Sequence, residues 1–313
     1  MKRREFLGKS AAVAAVVAVP DVTLENLLAN SSGVALETSA VPAPAASNPL
    51  SAPNGKIPVA FVVSKGAVMI DFAGPWQVFQ EVWIRSRGAS IDEQMPFELY
   101  TVAEQPGAIR VSGGMNIVPD YTFAEAPAPK IIVIPAQNGE SKTMLDWIIA
   151  SSRHTDVTMS VCTGAFILAK TGLLSGKAAT THHGAYKALA MEFPDIEVKR
   201  GARFVEAGNL ATSGGLSSGV DLALRVVERY FGRKVAADTA YNMEYQGQGW
   251  MNSASNEIYA RTVVSDDEHP LCPVCSMEVD PAVAPKSIYK GKTYYFCSAS
   301  HKSTFDATPD KWI

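Results

Sequence analysis

The amino-acid sequence predicts an α/β fold, a mostly parallel β-sheet sandwiched by helices, followed by a small cysteine-bearing module at the carboxyl end. Three observations predict it. Largely apolar runs rich in β-branched residues, at residues 57–63, 130–135 and 157–161, read as strands buried on both faces. Segments with apolar residues at three- and four-residue spacing stand between them, and strands alternating with helices imply parallel strands covered on both sides. Between residues 157 and 169, only the turn Cys162-Thr163-Gly164 separates the end of a strand from the start of a helix.

The elements follow in order. Residues 21–53 are rich in Ala, Ser, Pro and Asn without periodicity, which reads as a linker, and order begins near Lys56. After the first strand, Trp76, Phe79, Gln80 and Trp83 recur at helical spacing, with Pro75 near the helix start, where a missing N–H costs nothing. Residues 97–103 read as a strand, 109–119 as a hairpin around Gly113 and Gly114, and 142–151 as a helix. Beyond the cysteine turn come a short strand at 178–181, a helix at 184–193, a strand pair at 204–212 and helices at 218–231 and 235–245. The glycine-rich residues 213–219 lack the lysine and spacing of a phosphate loop, so they read as the approach to the capped helix at 218–231. The organisation expected is a leader and linker over 1–55, the α/β domain over 56–250, a linker over 251–269 and the tail module over 270–313.

A cysteine in a strand-to-helix turn sits at the carboxyl end of a strand and the amino end of a helix, where unpaired N–H groups favour a thiolate. This is the logic of a nucleophile elbow. A buried core cysteine that ends a strand is the structural alternative. A reactive Cys162 needs donors for developing charge and a proton partner. The N–H of Thr163, the residue after the nucleophile, is the first donor expected.

The segments 160–165 and 179–182, with Asp71-Phe72-Ala73-Gly74-Pro75 upstream, resemble the ThiJ/PfpI superfamily of class I glutamine-amidotransferase-like domains. Within it they are most similar to the isonitrile hydratase branch and to the sensor domains of AraC-type regulators. The resemblance covers about residues 56–250 and implies a flavodoxin-like sheet. It also implies an acidic partner, Asp71, against the sulfur, and a histidine, His182, approaching it. Burial of the Asp71 carboxyl would raise its pKa and make it a proton donor; helix capping is its other reading. Where the superfamily has Pro-Gly-Gly as a second donor loop, this chain has Pro135-Ala136-Gln137. Phe72, Trp76 and Thr163 are expected to line a mostly apolar pocket for a small, weakly polar substrate. No cofactor is expected at the elbow.

In the tail, Cys272 and Cys275 have knuckle spacing, and Cys297 and His301 stand four apart at the start of a helix. So short a module cannot bury enough apolar surface to be comfortably stable alone, which makes one structural metal ion a sensible reinforcement. A disulfide among the three cysteines is the alternative. Residues 270–313 resemble the YHS domain, which implies metal binding; this donor set suits zinc or copper.

The 28 basic and 31 acidic residues give a net charge of −3 with no long basic run, which excludes an extended phosphate-binding footprint, so no nucleic-acid partner is expected. The start carries Lys2, Arg3 and Arg4 before an apolar run of small residues at 10–19, too short to span a bilayer. It reads as a twin-arginine export signal and predicts a periplasmic protein. Contact with a membrane is expected only through the export machinery or an uncleaved leader. The function expected is a cysteine-dependent hydratase or hydrolase of a small C–N or carbonyl compound, isonitrile hydratase-like, with a small-molecule partner and a possible homodimer. A non-catalytic small-molecule, redox or metal sensor is the alternative.

Overall fold

The computed structural model describes residues 49–260, 265–266 and 269–313. The export signal and most of the linker expected after it lie outside the described residues. Among the described residues no helix is long and apolar enough to cross a membrane.

The central sheet has seven strands: β1 (Ile57–Val62), β2 (Phe97–Ala103), β3 (Tyr121–Thr122), β4 (Ile131–Ile134), β5 (Val157–Val161), β6 (Phe204–Ala207) and β7 (Leu210–Ser213). Their order is β6-β7-β5-β4-β1-β2-β3, and every neighbouring pair is parallel except the edge hairpin β6–β7. Strands this apolar are stable only where both faces are covered. Val59 and Phe61 of β1, with Val133 of β4 and Met159 of β5, pack into one core. Ala60 and Val62, with Ile132 and Ile134, pack into the core on the opposite face. Each large apolar side chain removed from water contributes roughly 1.5–3 kcal/mol.

The first face is covered by α1 (Met69–Gln80), which touches α5 (Ser218–Phe231); α6 (Arg233–Asn242) packs on α5 in turn. The second face carries residues of α2 (Lys142–Ser152), the elbow helix α3 (Gly164–Lys170) and α4 (Tyr186–Glu192). Helix α1 departs from the expectation. It begins at Met69, so Pro75 lies inside it, and Trp83 falls beyond its end. The bond that Pro75 cannot donate is the one to the Asp71 carbonyl, so the helix gives up one interior hydrogen bond there. The expected strand at 178–181 is only Ala178–Ala179, paired with Glu197–Val198 outside the main sheet.

The tail is a hairpin, β8 (Lys286–Tyr289) and β9 (Lys292–Tyr295), followed by α7 (Ala299–Ala307). Its core of Phe296, Phe305 and Trp312 packs with Cys272, Val274 and Cys275. Ala188 and Met191 of α4 join that cluster, and Lys187 Nζ donates to the Trp312 carbonyl at 2.9 Å, so the module is docked on the larger domain.

Candidate functional site

Cys162 follows β5 with φ of +59°, the left-handed region that costs a non-glycine residue roughly 1–2 kcal/mol. Neighbouring segments hold it there. Its N–H donates to the Gly214 carbonyl at 3.0 Å, and Thr181 Oγ1 donates to its carbonyl at 2.9 Å. Helix α3 starts at once because Gly164 allows it: a Cβ there would lie 2.2 Å from the Ile134 carbonyl oxygen at the end of β4. The strand-turn-helix expected of a nucleophile elbow is therefore present.

Asp71 lies in the first turn of α1, fully buried, and does not cap that helix. Its Oδ2 accepts from the Ala136 N–H at 3.2 Å. Its Oδ1 is buried with no partner at hydrogen-bond geometry, although the Cys162 thiol and the Leu216 N–H stand close enough to favour its charge. Burial outweighs these bonds and raises the carboxyl to about 6.

The thiol does not behave as the helix position suggests. Burial first, then the adjacent Asp71 charge, pushes Cys162 up to about 12, against the N–H groups of Thr163 and Leu216 that pull it down. A helix of only seven residues offers a modest dipole, and a sulfur only 8% exposed has lost most of its water. At neutral pH the resting group is a thiol beside a carboxyl that titrates near it.

The donors also differ from the expectation. The loop after Pro135 supplies its N–H to Asp71 rather than to the space above the sulfur. The second N–H at the sulfur is that of Leu216, another left-handed residue with φ of +51°. Leu216 lies in the glycine-rich segment that reads, from sequence, only as an approach to a helix. A backbone donor has no side-chain signature, and the only available sign was the Gly214-Gly215 pair before it.

His182 packs edge-on against that pair: a Cβ on Gly215 would fall 2.2 Å from His182 Cδ2. Its Nδ1 accepts from the Gly184 N–H at 3.1 Å, and its ring lies tilted 4.3 Å from that of His183, which stacks on Tyr259. Burial, then His183, keeps it below the usual histidine range. Among the described hydrogen bonds none joins it to Cys162. Thr163 and His182 both line a cavity of about 520 Å³. Phe72 and Trp76 do not. They belong to the core around Phe61, with Trp76 4.9 Å from that ring, because a start at Met69 turns them toward the sheet.

In the tail, the ligand atoms of Cys272, Cys275, Cys297 and His301 all lie within 4.8 Å of one another. Cys275 Sγ is 3.5 Å from Cys297 Sγ, and His301 Nδ1 is 3.1 Å from Cys297 Sγ and 3.7 Å from Cys272 Sγ. Donors around a tetrahedral ion with bonds of about 2.0–2.3 Å stand roughly 3.5–4 Å apart, so the set fits such an ion. All the cysteines are free thiols. Cys297 lies just before α7, whose cap Ser298 fixes the His301 N–H at 3.2 Å. The hydrogen bond between Cys272 and Cys275 favours the thiolate of Cys272 and raises Cys275.

Residues 58–229 match the family described as DJ-1/PfpI. The chain belongs to the DJ-1/PfpI family. Residues 272–313 match the YHS domain. Isonitrile hydratase of Pseudomonas putida is 29% identical over 213 residues, covering 66% of this chain and 87% of the hydratase. The HTH-type transcriptional regulator GbdR of Pseudomonas aeruginosa is 24% identical over 145 residues, but that match spans only 39% of the regulator. The crystal structure of a ThiJ/PfpI family protein from Pseudomonas syringae aligns with a TM-score of 0.54 at 26% identity, covering 62% of this chain and 77% of that one. Other DJ-1/PfpI structures align at lower identity, among them DJ-1beta of Drosophila melanogaster, and carry the fold alone.

Proposed function

We propose that the chain is a cysteine-dependent hydratase or hydrolase of a small C–N or carbonyl compound, most simply an isonitrile, with Cys162 as nucleophile and Asp71 as proton carrier. The observation that carries this reading is the buried Asp71 carboxyl beside a strained Cys162, raised to about 6 so that it can take and return a proton near neutrality. Similarity to isonitrile hydratase supports the substrate class.

The steps balance without an oxidant or cofactor. As sulfur bonds to the terminal carbon of R–NC, its proton passes through Asp71 to that carbon, giving a thioimidate. Water then adds across C=N, with its hydroxyl on carbon and its proton on nitrogen. The C–S bond breaks, the hydroxyl proton returns to sulfur, and R–NH–CHO leaves. The N–H groups of Thr163 and Leu216 would stabilise charge on sulfur as it forms and as it departs. Replacing Cys162 by Ala and Asp71 by Asn in separate proteins should each abolish hydration of an isonitrile panel; unchanged turnover in both sinks the proposal.

In the same proposal Cys272, Cys275, Cys297 and His301 hold one zinc or copper ion, which would fix the fold of the tail. Export to the periplasm rests on Lys2, Arg3, Arg4 and the apolar run after them. Replacing both arginines by lysine should leave the protein in the cytoplasm.

A second reading, a non-catalytic small-molecule sensor, draws on the elevated Cys162 pKa, which opposes use of the thiol as a nucleophile at neutrality, and on the regulators among the relatives. Mild peroxide followed by mass mapping tests the thiol: a Cys162 that stays reduced while methionines oxidise is neither nucleophile nor oxidant sensor.

A further inference from the structure

The cavity beside the elbow has two walls from distant parts of the chain. Thr163, the residue after Cys162, and His182 line it with Cys275, Met277 and His301 of the tail; Cys162 itself, 8% exposed, is not part of the lining. Its volume of about 520 Å³ falls in the range of small-molecule sites. The two walls are joined by the packing of Cys272, Val274 and Cys275 with Ala188 and Met191, and by the Lys187 bond to Trp312. Gly184 sits at the seam, where a Cβ would approach the Cys275 carbonyl at 3.7 Å.

We propose that this cavity is the approach to Cys162 for an uncharged, partly apolar small molecule, and that the tail module supplies its outer wall, with Met277 setting the width. This rests on Cys162 as the reacting group but not on any particular reaction. The lining argues for an uncharged ligand. Lys170 and Glu140 at its edge are ion-paired with each other, and Phe166, Ile167 and Val274 make much of the remainder apolar. Gln137 also lines it, its Nε2 held by the Val62 carbonyl at 3.2 Å. Met277 is half exposed and also borders a second cavity under His183 and Tyr259, so it works as a partition rather than as core. A metal ion held by Cys275 and His301 would brace this wall from behind, which makes the tail part of the elbow's substrate selection.

The test uses the full chain loaded with zinc, so that the tail thiols are protected, and two neutral thiol reagents of different size, methyl methanethiosulfonate and N-ethylmaleimide. Labelling of Cys162 is followed by peptide mapping at alkaline pH. Met277→Trp should slow N-ethylmaleimide about tenfold, as the larger ring narrows the cavity, and leave the smaller reagent within about twofold. Met277→Ala should accelerate the larger reagent. Because Met277 is half exposed, both variants should fold, and circular dichroism checks this. Wild-type rates for both reagents in both variants would show that the cysteine is reached from another side and overturn the proposal. Failure of the smaller reagent to reach Cys162 in the wild type would overturn it too. Either result is independent of whether isonitriles turn over: labelling that follows Met277 in a protein without hydratase activity upholds the cavity and sinks only the reaction.

Discussion

Replacing Asp71 by Asn should make the protein more stable above pH 6 while removing its activity. The carboxyl is fully buried, and its pKa rises from 3.8 to about 6 on folding, burial being the main cause. Below pH 3.8 the group is protonated in both states and contributes nothing to the balance. Between 3.8 and 6 the unfolded chain releases the proton and the folded chain keeps it, so folding loses ground as pH rises. Above 6 the penalty is complete. A rise of roughly two pH units, at ~1.4 kcal/mol per unit, makes it about 3 kcal/mol. Asn cannot ionise, and its Oδ1 can still accept the Ala136 N–H, so the variant escapes the penalty and keeps the bond. Urea unfolding of both proteins at pH 4 and pH 8 should show a stability difference that grows by about 2–3 kcal/mol in favour of Asn at the higher pH. A difference independent of pH, or one that favours the wild type more at pH 8, would refute the reasoning that burial of this carboxyl is a cost borne for chemistry.

Three further outcomes follow from the same geometry. Alkylation of Cys162 should climb about tenfold per pH unit to pH 10 without a plateau, because its thiol is pushed up to about 12, and Asp71→Asn should move the curve to lower pH by removing the neighbouring charge; a plateau near pH 8 would contradict the burial. Gly164→Ala should lower stability by on the order of 3 kcal/mol or more, read as a fall in the thermal midpoint, since the new Cβ meets backbone atoms of Ile134 and Pro135 that cannot give way. Purified protein denatured with chelator under non-reducing conditions should release one metal ion and alkylate at all 4 cysteines; fewer than three labels with no metal would mean a disulfide instead.

The sequence made the scaffold legible where a single physical rule dominates. Residues 97–103, 157–161 and 218–231 form elements with the expected bounds, because β-branched and aromatic runs and a long helical segment closed by Gly232 mark their ends in the sequence. Helix α1 was placed too late, because the rule that sets proline in a first turn gave way to packing against α5 and the sheet. The position of Cys162 could be read from the abrupt change of pattern at the turn, but its titration could not. That depends on the sum of burial, the Asp71 charge and the Thr163 and Leu216 N–H groups, contributed by segments far apart in the chain. The cavity was hidden for the same reason, since Thr163 and Cys275 become neighbours only when the tail docks on α4. In the tail the metal-type cluster was readable from spacing alone, because ligand residue types carry their own signature.

The most direct measurement is intact mass after rapid acid quench of the protein mixed with excess isonitrile. Covalent catalysis at the elbow predicts a transient increase equal to the mass of one isonitrile, mapping to the peptide that contains Cys162, absent in Cys162→Ala and decaying as the formamide accumulates. Formamide produced at the wild-type rate by Cys162→Ala, with no adduct at any time point, would contradict the account.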